Sequence, residues 1–113
     1  MNMISYEGIG EVAATVRVSD AVKAGMVVRV EENDLVCPCI SGEEFCGVIL
    51  NRNGDYGCMQ VKGFVTVRFT GTMEPGWVNL IANGIGGVRA VDSGMRTLVI
   101  HADNEKKTAV ICL

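Results

Sequence analysis

Cys37-Pro38-Cys39 is the densest group of potential ligands or nucleophiles in the chain. A structural zinc site usually offers two Cys pairs spaced by two to four residues, or pairs of Cys and His. Here the pair is Cys-x-Cys, Cys46, Cys58 and Cys112 stand alone, and the single histidine, His101, lies far along the chain. A redox pair would need Cys-x-x-Cys at a helix N-terminus, and the following residues do not read as a helix. Strand alternation would aim Cys37 and Cys39 to one side, which suits two core positions. All five cysteines sit among strand-like apolar residues, so the expectation is five buried, free thiols, with no metal and no cofactor.

The other chemistry-bearing residues are equally incomplete. His101 and Asp103 could be half of a triad, but no serine or cysteine in a nucleophile-elbow context accompanies them. A strand-end histidine with a local hydrogen bond is the simpler reading. Gly84-Ile85-Gly86-Gly87 lacks the helix and the third glycine of a dinucleotide loop, so it reads as a hairpin turn. Glu31-Glu32 and Glu43-Glu44 fall at turns and read as solvated surface. Paired carboxylates in a glycosidase need a cleft with aromatic platforms, and one Trp with two Tyr supplies little of that. No catalytic residue is therefore assigned, and a non-enzymatic binding module is expected.

What positions these residues should be β structure alone. The stretch Gly47–Gly71 holds two apolar-rich runs around Asn53-Gly54, then an alternating run at Phe64–Thr70. Asn-Gly is a strong hairpin signal, because both residues tolerate the positive φ of a type I′ turn. Further strands are expected at Glu11–Val18, Met26–Glu31, Leu35–Ile40, Phe45–Asn51, Gly57–Lys62, Trp77–Ala82, Gly87–Val91, Thr97–Ala102 and Thr108–Leu113. Ser19–Gly25 is either one capped helical turn or a long turn. Short strands with turn residues between them predict an all-β fold, a small barrel or sandwich of antiparallel strands with at most one helical turn. Residues 1–10 read as an N-terminal arm and 11–113 as a single domain.

Composition agrees. With 113 residues the chain is one domain long, and 14 glycines against two prolines suit many tight turns. A net charge of −3 argues against a general nucleic-acid clamp, which needs clustered cations. No run approaches a transmembrane span. Met1–Gly10 carries Glu7 and lacks the apolar core of a signal peptide, so reduced thiols in a cytosolic compartment are expected.

A faint duplication runs through the chain with a period of 51 residues. Ala24-Gly25-Met26-Val27-Val28 aligns with Pro75-Gly76-Trp77-Val78-Asn79, Val48-Ile49 with Val99-Ile100, and Asn53 with Asn104. Each half would be a meander of about four strands packing on its partner; chance similarity between two meanders is the alternative.

Two features suggest binding. Trp77 opens a strand after Pro75-Gly76 and could anchor a partner, although a lone Trp more simply fills the core. The arm carries Met1, Met3, Ile4, Tyr6 and Ile9, apolar or aromatic residues with little means of burial within their own segment.

The motifs Lys23-Ala24-Gly25-Met26-Val27-Val28, Gly42-Glu43-Glu44-Phe45-Cys46-Gly47-Val48-Ile49, Val61-Lys62-Gly63-Phe64-Val65-Thr66-Val67 and Gly76-Trp77-Val78-Asn79-Leu80-Ile81-Ala82-Asn83-Gly84 stand in this order, followed by Thr108–Leu113. The series resembles the head-decoration, or capsid cement, proteins of tailed bacteriophages and prophages. The resemblance implies a non-enzymatic structural protein of the virion, made in the bacterial host cytoplasm and bound to the capsid exterior. It implies the major capsid protein and other copies of the chain as partners, often as a homotrimer, with an N-terminal arm engaging the coat. No membrane and no specific nucleic acid is implied. A tail or baseplate module, or a ligand- or nucleic-acid-binding barrel of the oligonucleotide-binding type, is the alternative. The latter needs exposed aromatics flanked by cations on one face, and Phe64 and Phe69 are out of phase.

Overall fold

A computed structural model describes residues 9–113. Among them are ten strands and no helix: β1 Val12–Val18, β2 Val27–Glu32, β3 Leu35–Pro38, β4 Gly47–Asn53, β5 Tyr56–Lys62, β6 Phe64–Arg68, β7 Gly76–Ala82, β8 Val88–Ala90, β9 Met95–Asp103 and β10 Thr108–Cys112. Every segment expected to be extended is a strand, with shifted ends. β3 stops at Pro38, which has no N–H to extend a ladder. Ile40 N–H turns instead to Glu43 Oε1, at 2.7 Å.

Ser19–Gly25 takes the second of its two expected forms, a long turn. Arg52 Nη1 donates to the carbonyls of Ser19, Asp20 and Val22, at 2.9, 3.2 and 2.8 Å, and so occupies acceptors that a helix would use itself. The Asn53-Gly54 hairpin exists one residue out of step. Asn53 pairs with Tyr56, leaving Gly54-Asp55 as the loop, and Gly54 has φ 62. Glycine at positive φ in the first central position is the type II′ arrangement; type I′ would require positive φ at both.

Strands β1 to β5 close a barrel in the order β1-β3-β2-β4-β5, and β6 to β10 form a sheet in the order β6-β10-β9-β7-β8. The two orders are the same path. Matching β1 with β6, β2 with β7, and so on to β5 with β10, superimposes every neighbour relation. The barrel closes where β1 runs parallel to β3, with Val18 opposite Val36. The second sheet makes the corresponding parallel bridge, Phe69 opposite Val88. Hydrogen bonds repeat too. Val18 N–H to Asp55 O (2.9 Å) matches Phe69 N–H to Lys107 O (3.0 Å), and Ser19 N–H to Val36 O (3.0 Å) matches Thr70 N–H to Val88 O (3.1 Å). Even the bulges correspond, with Leu50 skipped in the β4–β5 ladder and Ile100 in the β9–β10 ladder. The duplication is a property of the backbone. Each half has five strands, not four, and each includes one parallel pairing.

The core divides in the same way. Val18, Val22, Val28, Val36, Ile49 and Met59 fill the barrel. The second core gathers Val65, Val67, Phe69, Leu80, Val88, Val99 and Ile111 with Val27, Val48, Cys39 and Phe45 from the first half. Val27 and Val28 are neighbours on β2 and point to opposite faces, so one strand supplies both cores. This shared strand makes the halves one body.

Residues 9–10 are held on the domain. Ile9 O accepts the N–H of Phe64 at 3.0 Å. Gly63 has φ 96, and a Cβ there would sit 2.5 Å from the Gly10 carbonyl carbon. Only glycine permits that approach. Met1, Met3, Ile4 and Tyr6 lie outside the described residues.

Candidate partner-contact surface

β7 begins at Gly76 and then alternates. Val78, Leu80 and Ala82 turn to the core, which places Trp77 and Asn79 on the outer face. Trp77 is accordingly 61% exposed. It does not fill the core, because the inward positions of β7 are already taken by aliphatic side chains. The ring is nonetheless held: the Arg96 guanidinium carbon lies 5.0 Å from its centroid. Arg96 stands opposite Asn79 on β9, diagonal to Trp77 on the same face, a spacing that long side chains bridge.

The register extends this face across four strands. Trp77 faces Leu98, Leu98 faces Cys112, and Cys112 faces Phe64. The row is apolar throughout, with Leu98, Cys112 and Phe64 half-buried. Three inter-strand steps make it roughly 14 Å long. At its far end sits Ile9, 53% exposed, bonded through its carbonyl to Phe64. The structure thus brings two sequence candidates, Ile9 and Trp77, to the two ends of one outer row. Leu98 and Arg96 were not singled out from sequence, Cys112 was considered only as a thiol, and Phe64 only as a stacking residue for nucleic acid. The available signal was their phase, one residue away from the buried Thr97, Val99, Ile111 and Val65. Beside the row a pocket of about 240 Å³ is lined by Phe45, Lys62, Met95, Arg96, Cys112 and Leu113, among others.

The remaining candidates are dispersed. Among the described residues no three His, Cys, Asp or Glu side chains converge as metal ligands. His101 is exposed on β9. Asp103 Oδ1 accepts the backbone N–H groups of Glu105 and Lys106, at 3.0 and 3.1 Å. The Lys106 N–H first, then that of Glu105, holds its carboxyl below the usual range. Phe69 is core, so it cannot share a stacking face with Phe64. Glu43 corrects the solvated-surface reading. Besides capping Ile40, its carboxylate lies 3.0 Å from Arg29 Nε.

All five cysteines are free. Cys37 and Cys39 are buried, as their phase suggested, whereas Cys58 and Cys112 are half-buried and Cys46 is exposed, against the expected core placement. Burial pushes the Cys39 thiol up to about 11, with the Glu43 carboxylate adding to the effect. Burial also raises Cys37, against the opposing pull of Arg29. Cys46 is exposed as a residue, yet its sulfur packs 3.8 Å from Met59 Sδ and its pKa is raised by desolvation. Alkylation of the native protein at neutral pH should spare Cys37 and Cys39, because the thiolate is the reactive form. Denaturation without reductant should expose all five. A raised folded pKa favours the neutral thiol, so its stabilisation is complete below the unfolded value, 9.0, and is lost as pH rises through about 11. Melting temperature should fall across that window, and rapid native alkylation of Cys39 at neutral pH would contradict the assignment.

Comparison with protein-family models and with curated proteins returns no match.

Proposed function

We propose that this protein is a non-enzymatic structural module of a phage particle, a decoration protein that binds the outer surface of the capsid and stabilises the expanded shell. The observation that carries the reading is the outer row Phe64–Cys112–Leu98–Trp77, ending in an exposed indole stacked by Arg96. An exposed Trp with an Arg stacked against it, on a sheet face, is the composition of a protein-binding anchor. It pre-orders the anchor before contact, which lowers the entropic cost of association. The order of Gly and Val motifs, which resembles that of capsid cement proteins, supplies the class of partner: the major capsid protein, with further copies of the chain, as a trimer, beside it.

The arm belongs to the same reading. Ile9, the first described residue, is held at the end of the row beside Phe64, and main-chain pairing of an arm with a neighbour would add a strand. Removing residues 1–8 should leave the melting temperature almost unchanged, since all ten strands and the core residues named above remain in the shortened chain. It should weaken attachment to expanded capsids at least about tenfold, the loss expected when a strand addition is removed. The assay is co-sedimentation with capsids. Equal decoration by the truncated and full chains would remove the arm from the mechanism, and no binding by the full chain would sink the decoration reading.

A further inference from the structure

A cleft of about 240 Å³ at one end of the second half is lined by Arg68, Thr70, Asn83, Ile85, Lys106 and Lys107, with Phe69 and Gly87. Three of the chain's ten basic residues meet there, in a protein of net charge −3. Two of its walls are fixed. Lys107 Nζ donates to Gly71 O at 2.6 Å and lies 5.5 Å from the Phe69 ring centroid. Asn83 Oδ1 accepts the N–H groups of Ile85 and Gly87, at 2.9 and 3.1 Å, and so shapes the β7–β8 turn. Asp103 and Glu105 share the Lys106 turn, but Asp103 Oδ1 is occupied by that turn's own N–H groups.

The duplication shows what the backbone alone would place here. In the first half the corresponding turn tips carry Asp34 and Asp55, whose carbonyls accept the N–H groups of Arg17 and Val18. Glu31, Glu32, Asp34 and Asp55 are all exposed at that end. Of the two arginines there, Arg52 spends its Nη1 on three backbone carbonyls, and Arg17, the counterpart of Arg68, is exposed. Four carboxylates against these two guanidiniums leave one end net negative, and Arg68, Lys106 and Lys107 against Asp103 and Glu105 leave its twin net positive. They lie apart: Val27 N–H donates to Gly86 O beside the basic cleft, and β2 then runs six residues to Glu32 at the acidic end. That is a separation of roughly 17 Å.

We propose that the basic cleft receives the carboxylates of the acidic turns, Glu32 and Asp55 foremost, of a second copy of this chain. The contact is head-to-tail and heterologous, so copies close into a ring or run on as a filament. The cleft suits a side-chain carboxylate or two. A nucleic-acid strand would need a longer track of cations. The inference rests on the self-association part of the proposed function and is independent of coat binding.

Sedimentation velocity of the full chain, at low and high salt, tests it. Association is expected at low salt and should weaken as salt screens the pairs. One variant combines Arg68→Glu with Lys106→Glu, leaving Lys107 to hold Gly71; the other combines Glu32→Lys with Asp55→Lys. Each alone should lower the association constant by about tenfold or more, because like charges then face each other. An equimolar mixture should restore association, since each variant presents the complement of the other. Circular dichroism checks folding, and the neutral pair Lys106→Gln and Glu32→Gln replaces any reversal that misfolds, each then weakening association in the same direction. A chain that stays monomeric, reversals without effect, or a mixture that fails to associate each overturns the proposal. Capsid co-sedimentation of the same variants separates the two claims. Loss of coat binding by the basic-cleft variant, with a monomeric parent, assigns the cleft to another partner and overturns the second-copy contact only. Self-association without capsid binding supports the contact and sinks the decoration reading instead.

Discussion

Replacing Leu80 with alanine is expected to cost the domain about 2–5 kcal/mol of unfolding free energy, the range for emptying a buried leucine site. Leu80 is fully buried on β7 and belongs to the core shared by both halves. The cluster it belongs to draws on both halves, with Val27 and Val48 from the first and Val99 and Ile111 from the second. They are fixed by their own ladders, so the cavity can collapse only in part. The loss is a large share of the stability of a domain this size, about 5–15 kcal/mol. Urea unfolding should show a lower midpoint with little change in slope. A loss below about 1 kcal/mol, no more than an average substitution, would mean that the site repacks freely and that the two halves do not share a tightly filled core.

Trp77→Ala should do the opposite, three residues earlier on the same strand. Its side chain is 61% exposed, and its main intramolecular partner in the outer face is the Arg96 guanidinium at 5.0 Å. An exposed cation–π pair contributes about 0.5–1 kcal/mol, so the melting curve should barely move. Partner binding should suffer at least about 2 kcal/mol, some thirtyfold, as for an aromatic hot spot. Arg96→Ala should lose part of that amount by releasing the ring. Capsid affinity measured for both variants checks the anchor, and a Trp77→Ala protein that decorates as well as the parent would remove this face from the interface. The two substitutions together test the alternation of β7 itself, inward for stability and outward for binding.

Local patterns carried much of this protein into view. The ten extended segments were legible because short Val- and Ile-rich runs are cut by glycine and by Asn and Asp turns, a grammar set by backbone sterics within a few residues. The buried placement of Cys37 and Cys39 followed from phase alone. The hairpin at Gly54 was visible but shifted by one residue, because II′ and I′ turns place glycine differently and the bulge at Leu50 resets the register. The duplication left only a trace in the sequence, since many side chains satisfy one strand path.

Pairing between distant strands decided the rest. Whether Trp77 pointed in or out depended on which face of β7 met β2 and β4, segments roughly thirty to fifty positions away along the chain, which no local period encodes. The row from Trp77 to Phe64 exists only because three ladders bring positions 77, 98, 112 and 64 into line. The opposed charges of the two turn clusters likewise became visible only when the halves were seen to share one frame. Sequence by itself determined which residues are extended and where the chain turns, because those depend on neighbours along the chain. Tertiary structure alone decided which side chains share a surface, because in a sheet that is set by register, and register is a long-range choice.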